Sequence, residues 1–187
     1  KNPNFDTSFI TTYSANFGTP SIVIFSISAS GVTFAMFSEY FLYAIILLTS
    51  FLIVGLIFLL LMKKDYLREL PTFFLPNTGN MGIPICLFAY GKLGMGIAAA
   101  ISSLVVLLHF TLNIFLAKRE FDLNVIVKSP SFYAIIATIL FLYYEIPLPI
   151  FVLNTVMLLA YGMIVMILMS LGAVSYTHLR AHETEAD

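Results

Sequence analysis

Long uncharged runs alternate with short charged clusters along the chain, and three of the runs (40–62, 93–117 and 146–176) reach or exceed the ~20 residues that cross a hydrocarbon core. Apolar runs set against the charges predict spans near 17–37, 41–62, 70–90, 95–117, 132–150 and 151–173. The last two are divided only by the Glu145–Pro149 turn region, so their shared boundary is soft. The pattern predicts an all-α, polytopic membrane protein of about six spans.

Composition agrees. Of 187 residues, 60% are hydrophobic and 10% charged, with mean hydropathy +0.98, eighteen Phe and no Trp, far from a soluble domain. Lys63, Lys64 and Arg68 follow the second span and Lys118, Arg119 and Lys128 the fourth, which places both loops on the cytoplasmic side. The opposite loops carry Lys92 beside Glu39 and Glu145, read as interfacial carboxylates. A net charge of −1 without a basic run and interleaved aromatics gives no reason to expect nucleic acid. Cys86 stands alone, which excludes a disulfide framework within the chain. With no nucleophile triad, H-E-x-x-H or phosphate loop, nothing suggests an enzyme, and no cofactor is expected.

One predicted span is broken. LPNTGNMGIPI, from Leu75 to Ile85, places Pro76, Asn77, Thr78, Gly79, Asn80, Gly82 and Pro84 where a helix should run, a few residues after Pro71. Each proline lacks an N–H and clashes with the preceding turn. Irregular backbone at membrane depth survives only where it is buried in protein or lines a water-filled cavity. The expected form is two half-helices around an unwound joint. The second would start close to Ile83–Pro84 and point its N-terminus, with free N–H groups and a positive dipole end, at an anion. Asn77 and Asn80 offer amide donors without a buried charge. This is the pattern of a secondary-transporter binding site; a packing kink or a short outward loop is the alternative. His109 is expected to be a packing histidine bonded to a neighbouring helix, rather than a proton relay. Thr111 and Asn113 are expected in interhelical hydrogen bonds, and Gly94, Gly96 and Ala98–Ala100 should allow close helix approach.

At these residues the chain resembles a known family. LPNTGNMGIPICLFAYGKLG, from Leu75 to Gly94, looks like the signature of the auxin efflux carrier family, N-T-x-x-x-G-I/L-P followed by an apolar stretch and Tyr/Phe-Gly. It sets Asn77, Thr78, Gly82, Pro84 and Gly91 at matching intervals. ANFGTPSIVIFSIS, from Ala15 to Ser28, resembles the family's earlier proline-containing span, with Pro20 in the matching place. The resemblance covers roughly 15–173.

It implies a ten-helix carrier of two inverted five-helix repeats in the bile acid/auxin transporter superfamily, moving small organic carboxylates such as malate by an elevator-type mechanism. Asn77 would bind the carboxylate and Pro84 would set the helix crossing, with Gly82 and Ile83 contributing backbone and Thr78 and Asn80 completing the site. The implied partners are the organic anion and the lipid bilayer of a bacterial inner membrane; a homodimer is left open. Sodium-symporter-like coupling and a non-transporting structural or receptor bundle are the alternatives.

By this register, 1–16 is an N-terminal cytoplasmic segment and 17–117 holds first-repeat helices, including the broken helix 70–90. A cytoplasmic loop follows at 118–130, and 131–173 begins the second repeat. SYTHLRAHET resembles a translated sequencing adapter, so 174–187 is expected to be a non-native tail, and His178 and His182 a spacing accident rather than a metal pair. The chain is then an incomplete fragment, lacking the partner broken helix and not expected to transport alone.

Overall fold

The computed structural model describes residues 8–113, 115–116 and 126–184, apart from the side chains of 110, 113, 171 and 173–184. The expected cluster at Lys118 and Arg119, the side chain of Asn113, and those of His178 and His182 therefore lie outside the described residues. The described residues are helical, without a strand.

Helix α1 (Ser8–Tyr13) runs through a π-helical segment, Ser14–Gly18, into α2 (Thr19–Ser28). After a turn come α3 (Phe34–Leu61), the short α4 (Tyr66–Glu69) and α5 (Pro71–Phe74), and a second π-helical segment, Thr78–Gly82. Helix α6 (Ile83–Leu108) ends in a third π-helical segment, His109–Asn113, and α7 (Pro130–Tyr143) and α8 (Ile150–Thr184) follow.

Among the described residues, three helical runs are long and apolar enough to cross a membrane: Phe34–Leu61, Tyr66–Leu108 and Ile150–Ser170; Pro130–Tyr143 is apolar but shorter. Helix α3 shows why the composition is so oily. Its 28 residues span about 42 Å. It leaves Leu42, Ile46, Val54 and Leu60 exposed and buries mainly Phe37, Ala44, Leu48, Gly55 and Leu59, the division expected of a helix facing lipid on most of its circumference. Helix α2 is the opposite case. Seven of its ten residues, Pro20 to Val23 and Phe25 to Ile27, are buried, and it packs against α6, α7 and α8 at the centre of the main apolar cluster.

The boundaries differ from the sequence expectation at the first span. The run 17–37 is not one helix: α2 stops at Ser28, and the turn through Gly31, at φ +77°, hands the chain to α3 at Phe34. Thr33 caps α3, its hydroxyl accepting the Met36 N–H at 3.3 Å. The fifth span is also shorter than the expected 132–150, ending at Tyr143 before a turn in which Glu145 has φ +53°. Helix α8 continues to Thr184, so the backbone does not break where the polar composition begins at 174.

Helix α6 contains Gly91 at φ +67°, ψ −159°, and the chain folds back there. In a straight helix Thr78 and Ile101, 23 residues apart, would be separated by about 34 Å. Instead they line one groove, with Gly82, Cys86 and Tyr90 on one arm and Gly94, Ile97 and Ala98 on the other. The Cys86 carbonyl lies 2.9 Å from where a Cβ on Gly94 would be. The expected boundary between the third and fourth spans therefore falls at a hairpin turn.

The turns and charges sort by end. Gly96, just past the hairpin, packs on Ser30 and Val32 of the α2–α3 turn. That turn shares a cavity of about 280 Å³ with Glu145, Ile146, Pro147 and Leu148 of the α7–α8 turn. Leu59, Leu70 and Phe74 pack with Leu112 and Leu116 at the opposite end. Lys63, Lys64 and Arg68 therefore share an end with the C-terminal part of the fourth span, while Lys92 and Glu145 belong to the other. Glu39, near the start of α3, accepts a 2.8 Å hydrogen bond from the Tyr43 hydroxyl.

The small residues of the fourth span make the close approach expected of them, with Ala99 and Ala100 fully buried. Thr111 departs from its expected role. Its hydroxyl donates to the Leu107 carbonyl at 2.8 Å, a bond within its own helix, as do Ser103 to Ala99 and Thr138 to Ala134. In apolar surroundings the carbonyl four residues back is the nearest acceptor.

Candidate functional site

The break begins at Leu75, within the expected stretch, and ends earlier than expected. Leu75 (φ −109°, ψ 81°) and Asn77 (φ −78°, ψ 65°) have non-helical backbone. The Thr78 N–H donates to the Pro76 carbonyl at 2.9 Å, which makes Asn77 the centre of an inverse γ-turn. Helical geometry resumes at Thr78, about one turn before Ile83–Pro84. The difference comes from the π-helical widening at Thr78–Gly82, where the Ile83 N–H reaches back to the Thr78 carbonyl. A proline ring collides with the carbonyl four residues before it, and widening the preceding turn moves that carbonyl aside. Pro84 can then lie inside a helix, one turn from its start.

Gly82 N–H to Asn77 carbonyl, 3.3 Å, is the bond that opens the resumed helix, and the N–H groups of Gly79, Asn80 and Met81 precede it. These donors begin the half-helix at 78–90. A cavity of about 420 Å³ is lined by Pro76, Asn77, Thr78, Gly79 and Asn80 from the joint. Opposite lie Thr11, Ser14, Ala15 and Thr19 from the α1–α2 run, Val105, Val106 and His109 from the end of α6, Ser131 from α7, and Ile167 and Ser170 from α8. Irregular backbone lines a cavity here, as membrane burial requires.

The six candidate residues divide. Asn77, Thr78 and Asn80 line the cavity. Gly82 lies on the groove between the hairpin arms, which Thr78 also borders. Ile83 and Pro84 are buried in packing. Asn77 is exposed and makes no capping bond, leaving its amide free to meet a ligand.

Three buried hydroxyl oxygens on this cavity, those of Ser14, Thr78 and Ser131, have no hydrogen-bond partner among the described residues. Ser131 is the sharpest of these, at 1% exposure. Leaving a buried hydroxyl unpaired costs ~1–3 kcal/mol, so three around one cavity define a place for a polar occupant. Ser26, Ser102 and Ser129 carry unpartnered hydroxyls as well, but away from this cavity.

Sequence reasoning missed two features. The first is that all three π-helical segments among the described residues contribute to this cavity: Ser14–Gly18 through Ser14 and Ala15, Thr78–Gly82 through Thr78, Gly79 and Asn80, and His109–Asn113 through His109. The signal for two of them is a repeated motif. Asn16-Phe-Gly-Thr-Pro20 and Asn80-Met-Gly-Ile-Pro84 share the form N-x-G-x-P, each with its proline two residues beyond the π segment. The second is His109, whose side chain is exposed on the cavity and has no hydrogen bond to a neighbouring helix among the described residues.

No protein-family model, curated protein or solved structure matches the chain. Among the described residues the fold and site define a helical bundle with helices long and apolar enough to cross a membrane, in which a broken helix opens onto a cavity lined by amides and hydroxyls.

Proposed function

We propose that this chain belongs to a secondary transporter of small organic carboxylates, of the auxin-efflux-carrier type that the run from Leu75 to Gly94 resembles. The observation that carries the reading is the joint itself: a helix broken at Leu75–Asn77 whose resumed first turn, amide side chains and unpartnered hydroxyls converge on one cavity. Helix N-terminal N–H groups and neutral amide donors suit a carboxylate. In this reading the six expected spans form part of a ten-helix inverted-repeat carrier in a bacterial inner membrane, with the basic end cytoplasmic. Asn77 and Asn80 hold the carboxylate, Thr78 adds a hydroxyl, and Gly82, Ile83 and Pro84 fix the half-helix rather than touch the anion. Binding at the joint is the first step of this activity and is the readout.

In detergent-purified protein, binding of radiolabelled L-malate or phenylacetate is expected to be measurable by equilibrium dialysis. Asn77→Ala should weaken it by tenfold or more, about the 1.4 kcal/mol of a lost hydrogen bond to a charged group, with the thermal midpoint unchanged. Equal affinity in wild type and variant, or no binding by the wild type, would overturn the reading in favour of a structural bundle.

A further inference from the structure

We infer that His109 is the proton-binding group of this cavity, so that an organic anion enters together with a proton. The inference rests on the carrier reading and adds the identity of the coupling ion.

Its basis is the charge inventory around the cavity. Among the described residues the lining contains amides, hydroxyls and apolar side chains, and His109 is its one ionisable member. From α1 and α2 no charged group faces His109, nor from the described part of α7. The stretch Ile150–Ser170 of α8 holds no charged residue at all. Asp65, Arg68 and Glu69 around α4 are exposed and off the lining, and so is Lys128 before α7. Among the described residues an anion in the cavity would therefore meet neutral donors and no cation, unless the imidazole supplies one.

Desolvating a carboxylate without a counter-charge is costly. A carboxylate beside an imidazole favours the imidazolium. The two equilibria are then linked, and the linkage is reciprocal: the bound anion raises the affinity for the proton, and the proton raises the affinity for the anion. The sign follows. With the anion bound, the imidazole holds its proton to higher pH than in the empty cavity. Anion affinity is therefore greatest at low pH and is lost as pH rises through the titration range of the occupied state. The unpartnered hydroxyls of Ser14, Thr78 and Ser131 remain donors at every pH and account for residual binding above that range.

The test uses the full chain in detergent with L-malate and phenylacetate as probes. Between about pH 8 and about pH 6 the wild-type Kd is expected to fall about tenfold, as coupled uptake of one proton by a histidine requires. In weakly buffered solution near neutrality, a pH-indicator dye should report proton uptake on addition of either probe. His109→Gln should bind with a pH-independent Kd close to the wild-type value at the alkaline end, with no uptake. A wild-type Kd that does not change with pH, absence of proton uptake, or an unchanged pH slope in His109→Gln would overturn the inference while leaving the carrier reading standing. The dye measurement needs no variant and so does not depend on His109→Gln folding. Failure of both probes to bind wild type at every pH would instead remove the carrier reading on which the inference rests.

Discussion

Gly96→Val is expected to yield no monodisperse folded protein in detergent, and Gly96→Ala to lower the thermal midpoint by several degrees. Gly96 is buried where the fourth span meets the α2–α3 turn. A Cβ added there would collide with Ser30 Cβ and Oγ and lie 2.7 Å from Val32 Cγ2. Ser30 cannot turn away freely, because its hydroxyl donates to the Ile27 carbonyl at 2.9 Å and accepts the Val32 N–H at 3.3 Å. Nor does the Ser30 Cβ move without the turn, whose course depends on Gly31 at φ +77°. One methyl forced into such a contact costs about 1–3 kcal/mol, and the two further methyls of valine act on the same turn. Size-exclusion profiles and midpoints followed with a thiol-reactive dye on half-buried Cys86 would measure both effects. Gly79→Ala, where nothing lies within 4 Å of the added Cβ, is the control and should keep its midpoint. A wild-type midpoint for Gly96→Val would show that the turn and the fourth span do not approach closely.

Gly91→Ala should also destabilise, for a different reason. Nothing lies within 4 Å of a Cβ built on Gly91, so crowding contributes nothing. Its φ +67°, ψ −159° belongs to a region occupied almost only by glycine, and a side chain there costs on the order of 1–3 kcal/mol. The strain falls on the corner that folds the two arms of α6 together. The expected result is a lowered midpoint with unchanged far-UV helicity, since both arms remain helices while their angle relaxes. The joint at Leu75–Asn77 is carried on the first arm, so carboxylate binding should weaken in the same variant. A midpoint equal to wild type would mean that the corner can be made with ordinary backbone angles.

The broken helix, the boundary between the third and fourth expected spans and the apolar length of α3 were all legible in the sequence, because each is a local matter of composition, proline and glycine. The turn at Gly31 was not. Ser28 to Thr33 holds no charge and no proline, so hydropathy runs through it. The N-cap threonine ahead of Phe34 was the available local signal. The start of the second half-helix was misplaced toward Ile83–Pro84 because proline was taken as a first-turn residue, whereas a widened π turn admits it further in. His109 was read as packing because a cavity assembled from α1, α2, α6, α7 and α8 is a tertiary property that no spacing within one span reveals.

A π-helical turn contains one residue more than an α-helical path between the same neighbours would use. Loss of a single codon from the stretch encoding Ser14–Gly18 would restore ordinary α geometry there, with the helix on either side keeping its face, and would remove the widened turn itself. Ser14 and Ala15 would lose the widened backbone that carries them on the cavity wall, and Pro20 would meet an unwidened turn, although hydropathy and charge stayed the same. The same arithmetic applies at Thr78–Gly82 and at His109–Asn113. At these three places the gene encodes a count as well as an identity, and in-frame single-codon deletions should harm the cavity more than most substitutions within the same segments.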